Sequence, residues 1–369
     1  MYRDLGVVPR EGREDNFNRP GEDLSTYRVV YVGDLVLNKM KTWQGSLGIS
    51  SHHGIVSPAY FVCRPIGAVD SRFVHHLLRS QPLIAEYGAR SKGIRPAQWD
   101  LPWEAFREIR VSLPDLHVQR EIADFLDAEA ARIDALMEKK QRMIALLEER
   151  RTALTIAGAM NPAWPRVKLT LLARLGSGHT PSRSRPEWWE DPTIPWITTG
   201  DIAQMRGDRI EFIESTRFSI SELGLANSAA ELHPAETVVL SRTASVGFSA
   251  IMARPMATSQ DFATWTCGPR LRPRFLLLCL RAMRSELLGR LAMGSTHKTI
   301  YMPDIESIRV PLPSLEEQDR AVSDVWARLR PIDRVVDAID RQVTLLRELR
   351  QALITAAVTG QLDVAKAAA

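Results

Sequence analysis

The residues best suited to chemistry in this chain are basic and hydroxyl-bearing side chains that lie around short apolar runs. Arginine and lysine can hold phosphates or pair with a guanine edge, and serine and threonine can reach base edges. Two similar runs, GDLVLNKM at 33–40 and ETVVLSRT at 236–243, end in or precede such residues. The candidates for DNA contact there are Lys39, Lys41 and Trp43 in the first half, and Arg242, Thr243 and Ser245 in the second.

A second pair of segments, before the last apolar run of each half, carries similar residues. These further candidates are Lys92 with Arg95, and Thr296 and His297 with Lys298. Their matching placement in two halves favours a shared role as a group. For any one of them, an ordinary solvated charge explains the sequence equally well.

A glycine-rich segment, GSGHTPSR at 176–183, resembles a phosphate-binding loop only superficially. It lacks the GxxxxGK[ST] spacing of nucleotide-binding loops, so no nucleotide site is expected. Its backbone N–H groups and nearby side chains are candidates for contact with DNA phosphates, and a simple turn is the alternative. The side chains are Ser177, Thr180, Arg183 and Arg185.

Other motifs could suggest an enzyme or a metal site, but their spacing and sequence context do not support either. The pairs His52-His53 and His75-His76 are adjacent in sequence, so their side chains point to different faces, and no Cys or Glu stands at ligand spacing. Asn161-Pro162-Ala163-Trp164 is similar to the Asn-Pro-Pro-Tyr/Trp motif of adenine methyltransferases, but a helical pattern precedes it instead of a glycine-rich pocket. We therefore predict no metal, no catalytic residue and a linker at 161–164.

The composition describes a globular protein with room for two domains. Of 369 residues, 45% are hydrophobic and 25% charged, and 48 Lys and Arg against 44 Asp and Glu give a formal charge of +4. This mild excess permits local basic patches. The longest apolar run, FLLLCL at 275–280, is too short to cross a bilayer, and the three cysteines form no CxxC pair. We expect a cytoplasmic protein without membrane contact.

An internal repeat organises the chain. When the sequence is shifted by 199 positions, IRV at 109–111 falls on IRV at 308–310, and the match continues without a gap through Gln119 on Gln318 to Leu154 on Leu353. A match of this length indicates a duplication. The first module is the globular part of the first half, and the second module is that of the second half.

The later part of each repeat predicts a long helix. Apolar residues recur at alternating steps of three and four, which is the seam of a coiled coil, and each narrow seam favours pairing with the other copy. Packing of each helix on its own module is the alternative. The residues predicted to pair the helices are Leu126, Ile133, Ile144, Leu147 and Leu154, with Val325, Ile332, Ile339, Leu346 and Leu353.

Two features of these helices bear on geometry. Pro331 lies inside the second pattern and is expected to kink or divide that helix. Residues 133–158 would span about 39 Å at 1.5 Å per residue, close to one turn of B-DNA. A helix of this length could hold two modules one turn apart on a duplex.

Taken together, several motifs resemble the specificity subunits of type I restriction–modification systems. They are LPxLxxQ at 113–119 and 312–318, GIVSPAY at 54–60, the opening WPRVKL…GSGHTPSR…IPWITTGDI at 164–202, and ALITAAVTGQL at 352–362. The resemblance implies an α+β protein with two repeated target-recognition domains, each followed by a long helix, and the two helices pairing as an antiparallel coiled coil. The implied boundaries are 1–114 and 161–313 for the domains, 115–160 and 314–362 for the spacer helices, and 363–369 for a tail.

The resemblance also implies a function and partners. Each domain would read one half of a split double-stranded DNA site, and the helices would dock two methyltransferase (modification) subunits. Motor-nuclease (restriction) subunits would complete the complex. The chain itself would be non-catalytic and bind no cofactor directly, because S-adenosylmethionine would be held by the methyltransferase subunits.

The first module departs from the family pattern. The second module has about 36 residues, Trp164 to Thr199, before the point at which the first module begins. The first target-recognition domain is therefore expected to be N-terminally incomplete. Two alternatives follow: a truncated or silent specificity subunit that needs a second chain, and a coiled-coil scaffold without DNA binding.

Overall fold

The computed structural model describes residues 6–10, 23–93, 99–293 and 298–367, and for residues 290–293 it describes the backbone alone. The chain divides into two compact units. Unit 1 comprises residues 1–141 and 340–369, and unit 2 comprises residues 142–339. The first module lies in unit 1 and the second module in unit 2.

The elements alternate short strands with helices of very unequal length. The strands are β1 (Arg28–Val30), β2 (Leu35–Asn38), β3 (Leu47–Ile49), β4 (Gly54–Val56), β5 (Tyr60–Cys63), β6 (Arg166–Lys168), β7 (Ala173–Ser177), β8 (Ile194–Ile197), β9 (Phe212–Ile213), β10 (Phe218–Ile220), β11 (Val238–Ser241), β12 (Ser249–Met252), β13 (Ala257–Thr258), β14 (Phe262–Cys267), β15 (Ala292–Met293), β16 (Thr299–Ile300) and β17 (Arg309–Pro311). The α-helices are α1 (Ser71–Leu78), α2 (Gln81–Arg90), α3 (Trp103–Arg107), α4 (Leu116–Ala159), α5 (Ile202–Met205), α6 (Glu222–Ala226), α7 (Pro273–Ala282), α8 (Arg284–Glu286), α9 (Met302–Glu306), α10 (Leu315–Val358) and α11 (Val364–Ala367).

Unit 1 is built on a small antiparallel sheet with strand order β3-β2-β5 in the described part of the chain. Leu37 and Leu47 form the core of the sheet together with Tyr87 from α2 and Leu101. Asp70 caps α1, because its side chain accepts the first free backbone N–H groups of the helix. A separate antiparallel pair, β1 with β4, lies beside this sheet.

Unit 2 carries a wider sheet with strand order β7-β14-β11-β12-β9. Strands β11 and β12 are fully buried, and Trp265 on β14 packs in one core cluster with Phe275 on α7. The apolar run at 275–280 is therefore a buried helix rather than a membrane segment. A second sheet, β10-β8-β13, brings Trp196 and Ala257 together.

The two long helices pack together, as the repeat predicted, and they do so in antiparallel fashion, as the family resemblance implied. In unit 1, Leu126 near the start of α4 shares a cluster with Ile354 near the end of α10. In unit 2, Leu154 near the end of α4 packs in one cluster with Val325 near the start of α10. Of the ten residues predicted to pair the helices, five are buried and five are half-buried.

Reciprocal ion pairs accompany this packing. In unit 2, Arg151 Nε donates to Asp333 Oδ1 at 2.9 Å, and in unit 1, Arg350 Nε lies 3.3 Å from Asp134 Oδ1. The two arginines are equivalent in the repeat, and so are the two aspartates. The polar residues in the seams are thus neutralised by the opposite helix.

Helix α10 runs through Pro331 without interruption, so the expected division of this helix is wrong. Pro331 lies on the exposed face, where water can satisfy the carbonyl that loses its helical partner. Leu329 and Ile332 on either side are buried in the seam and hold the helix together. Among the helices that the structure describes, none is long and apolar enough to cross a membrane.

Candidate nucleic-acid interface

Loops at one end of the wide sheet in unit 2 bring several of the predicted residues together. Thr180 Oγ1 donates to Gln260 Oε1 at 2.6 Å. Arg242 Nε donates to the carbonyl oxygen of Gln260 at 3.0 Å, and its Nη1 reaches the carbonyl of Ile300 at 3.4 Å. Three loops therefore meet at Arg242. Because two of its guanidinium nitrogens are engaged by these carbonyls, Arg242 braces the loops as well as being a candidate for contact.

Further contacts join the loop of Arg242 to the segment of Ile300. The N–H of Ala244 donates to the carbonyl of Lys298 at 3.0 Å, and Thr243 forms a bridge with Thr299. Ala244 has a φ of 60°, a strained conformation that residues with a side chain rarely adopt. The side chain of Lys298 is exposed, and Ser245 is half-buried. The group Thr180, Arg242, Thr243, Ser245 and Lys298 therefore shares one surface.

Unit 1 has the same backbone framework around Lys39. The N–H of Lys39 donates to the carbonyl of Ala59 at 3.1 Å, and the carbonyl of Lys39 accepts the N–H of Leu101 at 3.1 Å. In unit 2 the N–H of Arg242 donates to Asp261 and its carbonyl accepts from Ile300, both at 2.8 Å. Lys39 and Arg242 thus occupy equivalent positions, as their sequence context suggested.

The other candidates in unit 1 surround this position. Lys41 and Lys92 are exposed, and Lys92 exchanges two backbone hydrogen bonds with Asp100 at 2.8 and 2.9 Å. Trp43 packs on Trp99 with ring centroids 5.1 Å apart. Trp43 is half-buried, so a packing role accounts for much of its surface. Lys39 Nζ lies 4.7 Å from the centre of the Phe61 ring.

Three predicted residues cannot be placed. Arg95, Thr296 and His297 lie outside the described residues. The described residues on either side of them pair with each other, Lys92 with Asp100 in unit 1 and Met293 with Thr299 in unit 2.

The glycines of GSGHTPSR serve strand packing. A Cβ on Gly178 would lie 2.0 Å from the carbonyl oxygen of Thr258, so no larger residue fits there. Ser177 Oγ donates to the carbonyl of Phe262 at 3.2 Å and is therefore used within the sheet. Beyond the glycines the segment becomes exposed. Arg183 lies over the Trp189 ring at 5.6 Å, and Arg185 is 3.8 Å from Glu187, so both remain candidates at the surface.

A buried ion cluster, which the sequence did not reveal, fastens the second module to the helix pair. Asp208 accepts two hydrogen bonds from Arg284, at 2.7 and 2.5 Å, and lies 3.4 Å from Arg281 Nε. The carbonyl of Asp208 also accepts from Arg151 at 2.6 Å, and Arg151 in turn binds Asp333 of α10. Burial, opposed by Asp208, lowers the pKa of Arg281 to about 10. Periodicity could not find this cluster because Asp208 is distant in sequence from the three arginines that it joins.

The glutamine of each LPxLxxQ motif has a clear structural role. Gln318 Oε1 accepts the N–H of Arg272, the residue that precedes α7, at 2.8 Å. Gln119 Oε1 accepts the N–H of Asp70, the residue that caps α1, at 3.0 Å. Both side chains are buried. Each long helix therefore holds the N-terminus of a helix in its own module.

The other motifs weighed for chemistry have structural roles. Burial, followed by the charge of Arg79, lowers the pKa of His75 to about 3, and its Nδ1 accepts the N–H of Ile49. Burial raises the pKa of Cys267 to about 12, so the thiol stays protonated at neutral pH and is a poor nucleophile. Within the described ranges, no group of three His, Cys, Asp or Glu residues is arranged to hold a metal ion.

Comparison with known proteins matches this chain to one family. Residues 162–342 match the model of the type I restriction modification DNA specificity domain. The chain is 26% identical over 167 residues to the MjaIX specificity subunit of Methanocaldococcus jannaschii, covering 45% of this chain and 38% of the relative. It is 24% identical over 179 residues to the EcoR124I/EcoR124II specificity subunit of Escherichia coli, covering 47% and 42%. The matched stretch thus spans about two fifths of these relatives' length.

Solved structures share the fold over most of the chain. A chain from a study of complex assembly and conformational transition of the type I R-M system aligns with a TM-score of 0.73 and 19% identity, covering 92% of this chain and 85% of that chain. The HsdS subunit from Thermoanaerobacter tengcongensis aligns with a TM-score of 0.51 and 21% identity, covering 92% and 84%. At these identities the alignments show the fold. With the sequence match at 162–342, they show that this chain is similar to the specificity subunits of type I restriction–modification systems.

Proposed function

We propose that this chain is the non-catalytic DNA-reading subunit of a type I restriction–modification complex, and that its two modules each read one half of a bipartite site. The observation that carries the proposal is the repeated loop framework, in which Lys39 and Arg242 make the same backbone hydrogen bonds. Loops at equivalent places on two copies of one fold suit the reading of two half-sites. Differences in the side chains they carry suit two different sequences.

The charges of these loops support DNA as the ligand. Lys298, Arg183 and Arg185 are exposed in unit 2, and Lys41 and Lys92 are exposed in unit 1. Exposed cations next to hydroxyl side chains can bind phosphates and approach base edges together. The mild overall charge of +4 means that binding must depend on these local groups.

The helix pair supports the proposed protein partners. Each unit exposes large apolar side chains on the helices: Leu136, Leu345 and Leu349 in unit 1, and Met143, Leu146 and Val335 in unit 2. Leu136 and Leu146 are the repeat equivalents of Val335 and Leu345. Exposed apolar groups that recur in this way suit two copies of one partner. We infer that these are the two methyltransferase subunits, which would hold S-adenosylmethionine, and that motor-nuclease subunits join the same complex.

The experiment that tests the proposal is co-expression with the methyltransferase subunit of the same system, followed by sequencing of methylated bases. A bipartite motif with a gap of fixed length is the expected result. Methylation at a symmetric motif built from one half-site would mean that the second module alone reads DNA. A stable complex without methylation would favour the truncated or silent subunit, for which the narrow sheet of unit 1 is the motivating observation.

Two variants extend the same experiment to the docking surfaces. Leu146→Glu and Leu345→Glu each place a charge on one of the two exposed apolar groups, and each is expected to reduce the bound methyltransferase from two copies to one. Native mass spectrometry measures this ratio.

A scaffold without a DNA role would keep its protein partners yet show no salt-dependent binding of any duplex.

A further inference from the structure

Among the residues that the structure describes, the sheet of the first module ends at an edge where the second module has another strand. In unit 2, β14 lies inside its sheet between β11 and β7. Its counterpart in unit 1, β5, lies at the edge of the described sheet. The first four residues of β14 are buried, whereas all four residues of β5 are only half-buried. The same strand is thus covered in one copy of the fold and open in the other.

The hydrogen-bond register shows which backbone groups face this edge. Lys39 donates to the carbonyl of Ala59, which makes these two residues a hydrogen-bonded pair in the β2–β5 ladder. Because such pairs alternate in an antiparallel ladder, the N–H and C=O groups of Val62 point away from β2. The N–H of Tyr60 also points away from β2 and donates to the carbonyl of Ser57 at 3.1 Å. In unit 2 the counterpart of Val62 is Thr264, which pairs with Gly176 of β7.

A second edge is open beside the first. In unit 2, Ala257 on β13 pairs in parallel with Trp196 on β8 and is 0% exposed. Its counterpart on β4 in unit 1, Ile55, is 51% exposed. The segment that covers both edges in unit 2 is one continuous stretch, residues 164–199, which carries β7 and β8.

We propose that this side of the first module is a strand-docking site, and that its occupant is a segment of another polypeptide with the chemistry of residues 164–199. The occupant adds one antiparallel strand to β5 and one parallel strand to β4. The outward backbone groups of β4 and β5 then form hydrogen bonds with the occupant, and Ile55 is buried. The duplication inside this chain is the argument for this occupant, because the second module holds such a segment on equivalent strands. Strand docking does not depend on DNA binding.

The occupant must meet a strict requirement at one position. In unit 2, Gly178 passes so close to the carbonyl of Thr258 that a Cβ would collide with it. The corresponding backbone in unit 1 is that of Val56. A docking segment therefore needs glycine where it crosses Val56, and a side chain there should prevent docking.

The test is titration of the full chain with a labelled peptide of residues 164–199, measured by fluorescence anisotropy. Saturable 1:1 binding is expected. The matched peptide with Gly178→Val is expected to bind about ten-fold or more weakly, which corresponds to 1.4 kcal/mol or more. On the chain, Val62→Pro removes an outward N–H without breaking the β2–β5 ladder and should weaken binding similarly. Hydrogen exchange should show that the peptide protects the amide of Val62.

Several outcomes would overturn the proposal. Absence of binding, or equal binding of both peptides, would rule out the proposed occupant. Protection of the Val62 amide before the peptide is added would mean that the chain covers its own edge. A concentration-dependent dimer in sedimentation, dispersed by Val62→Pro, would mean that a second copy takes the place of the proposed segment. Because the proposed function is measured by methylation, its failure is distinguishable from failure of strand docking.

Discussion

The two modules support equivalent loops on sheets of different width. In the described residues, the main sheet of unit 1 has three strands and that of unit 2 has five, yet the backbone bonds around Lys39 and Arg242 are the same. The loops therefore depend on the strands and turns next to them, and the outer strands serve another purpose. They bury the central strand and, in unit 2, present the exposed loop that carries Arg183 and Arg185.

The modules also differ in how they are fastened to the long helices. In unit 2 the link contains buried charges around Asp208, which is 7% exposed. In unit 1, Arg72 binds Asp124 and Asp127 of α4 at 2.8 and 2.9 Å, but its side chain is 46% exposed. A buried ionic link is costly to break on one side, whereas an exposed link is weakened by solvent and salt. We therefore expect the second module to be held more rigidly on its helices than the first.

The largest effect is expected from Asp208→Ala. The substitution leaves Arg281 and Arg284 buried or half-buried without their carboxylate, which costs about 3–5 kcal/mol of unfolding free energy. Arg72→Ala in unit 1 is the matched control and is expected to cost less than about 1 kcal/mol. Chemical denaturation measures both. Similar losses in the two variants would contradict the difference in anchoring.

The next effect concerns the buried glutamines. Gln318 accepts one backbone hydrogen bond and donates to the carbonyls of Arg270 and Pro313, whereas Gln119 donates to Pro114 alone. Gln→Ala at either position leaves buried backbone groups unpaired, at a cost of about 1–3 kcal/mol. Gln318→Ala is expected to be the more destabilising, and thermal melts of the two variants check the order. The reverse order would mean that the number of bonds does not decide the effect.

How far the sequence could lead depended on whether a feature repeats. The repeat and its three-four spacing predicted the long helices and their packing on each other, because apolar periodicity reports directly on a buried face. The antiparallel direction came from the family resemblance. The equivalence of Lys39 and Arg242 was also visible, since both end similar runs. The uninterrupted course of α10 through Pro331 was not visible in the sequence, because the packing of Leu329 and Ile332 overrides the local cost of proline.

Contacts between distant segments were beyond the sequence. Asp208 gathers Arg151, Arg281 and Arg284 from separate elements, and no spacing rule connects them. The glycines of GSGHTPSR looked like a phosphate loop because composition alone does not distinguish a loop from a strand that must pass close to a neighbour. The choice of side chains that contact bases remains a prediction, since it depends on loop geometry in the presence of DNA.

A smaller effect is expected at the reciprocal ion pairs. Asp333→Asn removes the charge that faces Arg151, whose side chain is 6% exposed, and is expected to cost about 1 kcal/mol. Asp134→Asn is the equivalent change in unit 1. It faces Arg350, whose side chain is 32% exposed, and is expected to cost less than about 0.5 kcal/mol. Raising the salt concentration should reduce the effect of Asp134→Asn further and leave that of Asp333→Asn nearly unchanged. Equal salt sensitivity would contradict the difference in burial.

The smallest change in free energy, and the sharpest comparison of the modules, is expected from single lysines at the loops. Lys298→Ala in unit 2 should lower the slope of log affinity against log salt by about 0.9 for a lost phosphate contact, with little change in sequence preference. Lys92→Ala in unit 1 should lower the slope equally if the first module holds DNA, and should leave it unchanged if that module is silent. Duplex titrations at several salt concentrations measure both slopes. If a segment like residues 164–199 docks on the first module, then the peptide should restore the sensitivity to Lys92, because docking would add outer strands to a loop framework that is already in place.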